Sequence, residues 1–103
     1  MRSRVDAVFQ ALADPNRRFV LETLAGRGSA TATELAAALP VTRQAVSKHL
    51  GTLRAAELVE PTRSGREIRY RLRTEPLGDA LDWMERVGAQ WDERLGALRR
   101  HLS

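Results

Sequence analysis

Four residues, "LPVT" at 39 to 42, constrain this chain more than any others. Upstream, Thr31 with Glu34 three residues later forms a capping-box pattern, opening a short helix through Leu35, Ala36 and Leu39. Pro40 closes it, because proline has no backbone N–H to continue the ladder. Thr42 then offers an N-cap hydroxyl, and Val46, Leu50 and Leu53 recur at helical spacing behind it. With only "PV" between the two helices, they must turn sharply against each other.

The other elements follow from local punctuation. Val5, Val8, Phe9 and Leu12 keep the i, i+3, i+4, i+7 spacing of an amphipathic helix over about 4–13. Asp14 as N-cap and Pro15 at the first helical position open a second helix, whose apolar face is Val20, Leu21 and Leu24 and which stops at "GRG", 26 to 28. After Leu58 the period changes to two: Ile68, Tyr70 and Leu72 alternate with Arg69, Arg71 and Arg73, and "TRSGRE" supplies a Ser-Gly turn. A β-hairpin with a basic outer face and basic tip is expected, and Pro61 makes its first arm short or an edge.

Stepping 100° per residue around the fourth helix places Val46, Leu50 and Leu53 on one side. Gln44, Lys48 and Gly51 fall opposite, with Ser47 and Arg54 at the edges of that polar face. His49 sits on the flank of the apolar side, so it cannot point where its neighbour Lys48 points. Gln, Ser and Lys side chains on one helix face suit base edges and phosphates in a DNA major groove, and a glycine there leaves room for the nucleic-acid backbone. The charge distribution agrees. Residues 42 to 73 hold eight basic and three acidic side chains, a net +5 in a chain whose total is +4. The excess positive charge therefore lies in this one segment, which is the footprint of a polyanion partner.

The last helix is expected over about 77–102. Leu77, Leu81, Met84, Gly88, Trp91, Leu95, Leu98 and Leu102 alternate spacings of four and three, a heptad seam held for more than three heptads. Ala80, Trp83 and Val87 form a second stripe beside it. Such a helix is about 39 Å long, more than one small domain can cover. Homodimerisation through the first and last helices is expected, with Val5, Val8, Phe9, Leu81, Met84, Gly88, Trp91, Leu95 and Leu98 at the interface.

Other classes find little support. A length of 103 residues suits one domain spanning 1–103, and no apolar run reaches the roughly 18 residues of a membrane span. The N-terminal segment lacks a secretion pattern, so a soluble, cytoplasmic protein is expected. With no cysteine, the chain has no disulfide, thiolate metal site or redox thiol. No nucleophile elbow, phosphate loop or H-E-x-x-H motif is present, so neither an enzyme nor a cofactor is expected.

"LADPNRRFVLETL", "TATELAAAL", "VTRQAVSKHLGTLRAAELV" and "RSGREIRYRL" together resemble the ArsR/SmtB family of bacterial winged helix-turn-helix repressors. The resemblance implies a mainly α fold with one small β-hairpin, in the order four helices, two strands and a final helix. It also implies a homodimer that represses transcription from an inverted-repeat, double-stranded DNA operator. Carried over by motif, the recognition-helix contacts are Arg43, Gln44, Ser47, Lys48 and His49, and the wing contacts Arg63 and Arg66. Arg54, at the edge of the polar face, joins the candidate DNA-binding set.

The chain departs from the family in two places. At Glu57 the family commonly has glycine, so either Glu57 takes an unfavourable turn or the helix ends earlier. The family's cysteine metal motif is absent from the third helix, and no metal site is expected there. On the last helix, His101 suits the negative end of the helix dipole, with an intersubunit site made from it and Asp79, Asp82, Glu85, Asp92 or Glu93 as the alternative. No residue pattern names a small-molecule effector. The competing functional reading is a winged-helix protein-interaction module without specific DNA binding.

Overall fold

The computed structural model describes residues 3–102, apart from the side chains of Leu95, Leu98 and Leu102. It contains α1 (Arg4–Leu12), α2 (Pro15–Arg27), β1 (Ala30–Thr31), α3 (Ala32–Ala38), α4 (Arg43–Ala55), β2 (Val59–Ser64), β3 (Glu67–Leu72) and α5 (Glu75–Leu102). The fold is mainly helical with a small antiparallel sheet.

Local chemistry accounts for most of these boundaries. At α1, Ser3 and Asp6 make a reciprocal capping box. Its C-terminal carbonyls are taken up from the next helix: the Arg17 guanidinium donates to the carbonyls of Ala11 (2.7 Å) and Gln10 (2.9 Å), and Arg18 donates to that of Leu12. Carbonyls at a helix end have no intrahelical donor, so these two arginines close the corner between α1 and α2. Asp14 caps α2 by accepting from the N–H groups of Asn16 and Arg17. The second helix continues through Gly26 and ends only at Gly28, whose φ of 85° lets the chain reverse. Thr31 and Glu34 form the expected capping box on α3. That helix stops at Ala38, one residue earlier than its apolar spacing suggests, because Leu39 is extended and buried.

Two elements differ from the sequence expectation. The strand β1 was not foreseen, since two residues are too few to show an alternation. It pairs with β3, giving the order β1-β3-β2, so β2 is an edge strand and tolerates Pro61 opposite Tyr70. The final helix starts at Glu75, two residues before the expected start, with Pro76 in its first turn. Proline is accepted there because the first turn has no intrahelical acceptor for its missing N–H.

The core gathers Val8 and Ala11 of α1, Val20, Leu21 and Leu24 of α2, Leu35 of α3, Val46, Leu50 and Leu53 of α4, and Leu58 and Val59 at the base of the sheet. From α5, Ala80 joins it, with Leu77 packed against it. Val8 has no exposed surface, so its sequence-based place in a dimer interface is corrected: its side chain is already spent on the protomer's own core.

The end of α4 resolves the departure at Glu57. The N–H of Leu58 donates to the carbonyl of Leu53 and that of Glu57 to the carbonyl of Arg54, both at 2.9 Å, which is the Schellman pattern. It needs a left-handed residue, and Glu57 occupies that conformation with φ of 60°. For an L-residue with a Cβ this costs about 1–2 kcal/mol, a cost glycine avoids. Glu57→Gly should therefore stabilise the fold by roughly 1 kcal/mol net of glycine's greater unfolded-state entropy, and raise the thermal midpoint by about 4 °C at fixed protein concentration. The exposed Arg4–Glu57 ion pair (3.6 Å) lost in the exchange offsets little of this.

Candidate nucleic-acid interface

The fourth helix is seated by its apolar side and capped at its start, where Thr42 Oγ1 accepts from the N–H of Ala45 at 3.1 Å. Val46, Leu50 and Leu53 are buried, which leaves Gln44, Lys48 and Gly51 on the exposed side. Ser47 and Arg54 are also exposed, but they share one edge of this face with Arg43 instead of flanking it on both sides. Arg43 donates to Thr33 Oγ1 at 3.1 Å, tying the start of α4 to the first turn of α3. A β-carbon at Gly51 would meet nothing within 4 Å, so the helix face there is open.

His49 occupies the other flank, half-buried, and faces the start of α2. Burial raises the Asp14 carboxyl, but the N–H bonds from Arg17 and Asn16 and the positive charges of His49 and Arg17 outweigh it and hold Asp14 below the usual carboxylate range. The geometry thus turns His49 toward its own domain and away from the face that Lys48 presents.

The hairpin β2–β3 stands beside α4 as a wing. Its two-residue turn is Gly65–Arg66, with Ser64 paired to Glu67. Gly65 has φ of 62° and Arg66 a negative φ, as a type II′ turn requires. Residues 62 to 68 are all exposed, and the tip carries Arg63 and Arg66. Between the wing and the first turns of α3 and α4 lies an open cleft of about 550 Å³, whose lining includes Arg43, Ser47, Arg66, Ile68 and Tyr70.

The outer face of the hairpin is less basic than its alternation suggests. Arg69 pairs with Glu34 at 3.2 Å and Glu67 at 3.3 Å, and Arg73 pairs with Glu75 at 3.6 Å and Glu60 at 3.9 Å. Between residues 42 and 73, Arg43, Lys48, Arg54, Arg63, Arg66 and Arg71 have no carboxylate at ion-pair distance, so the unneutralised charge of this segment lies on α4 and the wing. Sequence reasoning missed Ile68. Its place in the alternation marks it as inward, yet the wing overhangs the core and leaves Ile68 45% exposed in the cleft. The length of the hairpin beyond Leu58 was the available signal.

These features define a DNA-binding winged helix-turn-helix protein, and comparison with known proteins specifies the class. A family model described as a helix-turn-helix domain matches residues 12–62. The chain is 39% identical over 77 residues to the transcriptional repressor SdpR of Bacillus subtilis (strain 168), covering 75% of this chain and 84% of that protein. It is 38% identical to an uncharacterized HTH-type transcriptional regulator, YuzN, of the same organism, covering 82% of this chain and 100% of that one. An ArsR-like transcriptional regulator from Rhodococcus sp. RHA1 superposes with a TM-score of 0.81 at 45% identity, covering 94% of this chain and 91% of that one. The chain belongs to the ArsR/SmtB family of transcriptional regulators. The curated relatives it matches are named as transcriptional regulators or repressors, and no helix among the described residues is long and apolar enough to cross a membrane.

The capping carboxylates beside this site make stability depend on acid. Glu34 is held below its usual value by the Thr31 N–H, with desolvation opposing and the charges of Arg69 and Arg27 assisting. For Asp14 and Glu34 alike the folded form binds protons less readily than the unfolded chain. Their contribution is therefore present above the ordinary carboxylate range and lost as pH falls through and below it. Asp14→Asn keeps a capping oxygen but no charge, so its unfolding midpoint should change less than that of the unsubstituted protein between about pH 6 and about pH 3, followed by circular dichroism.

Proposed function

We infer that this protein is a homodimeric transcriptional repressor that inserts two copies of α4 into successive major grooves of a pseudo-palindromic operator, about 34 Å apart. The observation that carries this reading is the conjunction of an open polar helix face, Gln44, Ser47, Lys48 and Gly51, with an unneutralised wing tip, Arg63 and Arg66, the two meeting at a cleft lined by Ser47 and Arg66. Gln44 suits the paired acceptor and donor of adenine, and Lys48 suits guanine acceptors or phosphate. Arg43, Arg54 and the wing arginines supply phosphate contacts, which position without reading sequence. His49 supports the helix from its flank.

The test begins with selection of bound fragments from random DNA at moderate salt, followed by titrations of the selected site. Lys48→Ala and Arg66→Ala should each weaken binding across sequences and lower the salt slope by about two, one per subunit, whereas Gln44→Ala should remove roughly 1–3 kcal/mol of base discrimination per half-site. Gly51→Ala separates this reading from a merely solvated face. It should stabilise the free protein by roughly 0.5–1 kcal/mol and yet weaken operator binding, because the added methyl projects toward the DNA. Selection without enrichment, or Gln44→Ala and Lys48→Ala titrating like the parent, would instead favour a protein-interaction module.

Dimerisation is the second half of the reading, and what supports it is the division of labour on α5. Ala80 is buried against the core, and Trp83 meets the Phe9 ring of α1 edge-on at 5.4 Å while staying 42% exposed. The seam one step around the helix is left uncovered: Leu81 is 51% exposed, Met84 46% and Trp91 55%. With Gly88 between them, and with Val5 and Phe9 of α1 alongside, these residues form the face offered to a second copy. The interface positions Leu95 and Leu98 lie outside the described side chains. Met84→Glu combined with Trp91→Glu should convert the protein to a monomer in sedimentation equilibrium and sharply reduce affinity for a two-half-site operator. Unchanged self-association would sink the α5 interface.

A further inference from the structure

The wing must hold a definite angle if its tip is to meet DNA while α4 is seated, and apolar packing holds its base, through Val59, Tyr70 and Leu72, but not its outer part. Residues 62 to 68 are exposed, and β1 offers β3 only two paired positions, Ala30 with Tyr70 and Thr31 with Arg69. Arg69 lies at the last of these, three residues from the turn at Arg66. Its guanidinium donates to Ser29 Oγ at 3.0 Å, to the Ser29 carbonyl at 3.5 Å and to Glu67 at 3.3 Å, and it pairs with Glu34 at 3.2 Å. Glu34 is itself held in place, accepting the Thr31 N–H at 2.9 Å as part of the α3 capping box and lying 3.8 Å from Arg27. One guanidinium thus joins the overhanging hairpin to the end of α2, to β1 and to the first turn of α3.

We propose that Glu34 and Arg69 are positioning residues for DNA binding: their ion pair, anchored on the α3 cap and Ser29, sets the angle of the wing so that Arg63 and Arg66 reach phosphate. This rests on the DNA-binding reading above. Arg69 itself is no DNA contact, because its donors are already engaged within the protein. A planar guanidinium is required, since only its fork of donors can satisfy Glu34, Glu67 and Ser29 together.

Glu34→Gln provides a test in which two effects have opposite signs. The Glu34 Oε1 takes both the Thr31 N–H and the approach of Arg69, so glutamine can keep this oxygen and the capping box while removing the charge that holds the ion pair. Removing a negative charge near DNA should, by electrostatics alone, tighten binding. Loss of the clamp should instead weaken binding to the selected operator, on the order of fivefold, and the loss should largely vanish in an Arg66→Ala background. Arg69→Lys, which leaves net charge unchanged, should weaken binding in the same direction and keeps the test open should Glu34→Gln fold poorly. Independently of DNA, hydrogen exchange at wing amides 62 to 69 should accelerate in both variants. Equal or tighter binding by Glu34→Gln, an undiminished loss in the Arg66→Ala background, or unchanged exchange in the wing would each overturn the proposal. Accelerated exchange in a protein whose unsubstituted form selects no DNA would uphold the clamp and refute the DNA-binding reading instead.

Discussion

Everything at the candidate interface depends on how α4 is anchored. Val46, Leu50 and Leu53 are packed with Leu24, Leu35 and Leu58 in the core. Since a helix has a fixed angular period, burying those three dictates which residues emerge on the far side. Gln44, Lys48 and Gly51 face outward because the hydrophobic effect fixes their opposite numbers. The Thr42 cap at one end and the left-handed Glu57 at the other then limit the helix to the length that this packing supports. A recognition surface built this way is rigid, which lowers the conformational entropy lost on binding.

Charge is divided by a similar rule. Of the arginines on the hairpin, Arg69 and Arg73 sit where carboxylates of neighbouring elements can reach them, and they are neutralised within the protein. Those beyond the body of the fold, Arg63 and Arg66, have no such partners and keep their charge for an external anion. An exposed ion pair contributes little to stability by itself. The Arg69 network matters through geometry, because it ties the hairpin to α3 and Ser29 at the point where the apolar packing of Tyr70 and Leu72 gives way to the exposed outer part.

At the other end of the molecule, α5 carries an apolar face that the single chain does not cover. A helix of 28 residues runs about 42 Å, and the principal extents of the protein are 65 × 27 × 25 Å, so much of the helix projects past the core. On the side facing α1, Ala80 is buried and Trp83 partly covered, while Leu81, Met84 and Trp91 on the seam beside it are exposed. Apolar surface of this extent on one helix face is what an obligate partner would remove from water.

Much of this was legible in the sequence because local rules governed it. Caps at Asp14, Thr31 and Thr42 follow from one side chain and the N–H groups two or three residues on, and the buried face of α4 follows from spacing alone. The strand β1 was not legible, since its two residues owe their conformation to β3 forty positions away. The last helix was expected to begin after Pro76, because a proline's tolerance in a first turn depends on where the helix begins. Val8 had the apolar character of an interface residue, and only packing could assign it to the core. What the sequence determined by itself, then, was the set of helices, the hairpin and the side of α4 that is polar, all consequences of short-range hydrogen bonding and periodicity. The tertiary structure decided which arginines remain charged toward solvent, which stripe of α5 is covered and where His49 points, because each depends on groups brought together from distant parts of the chain.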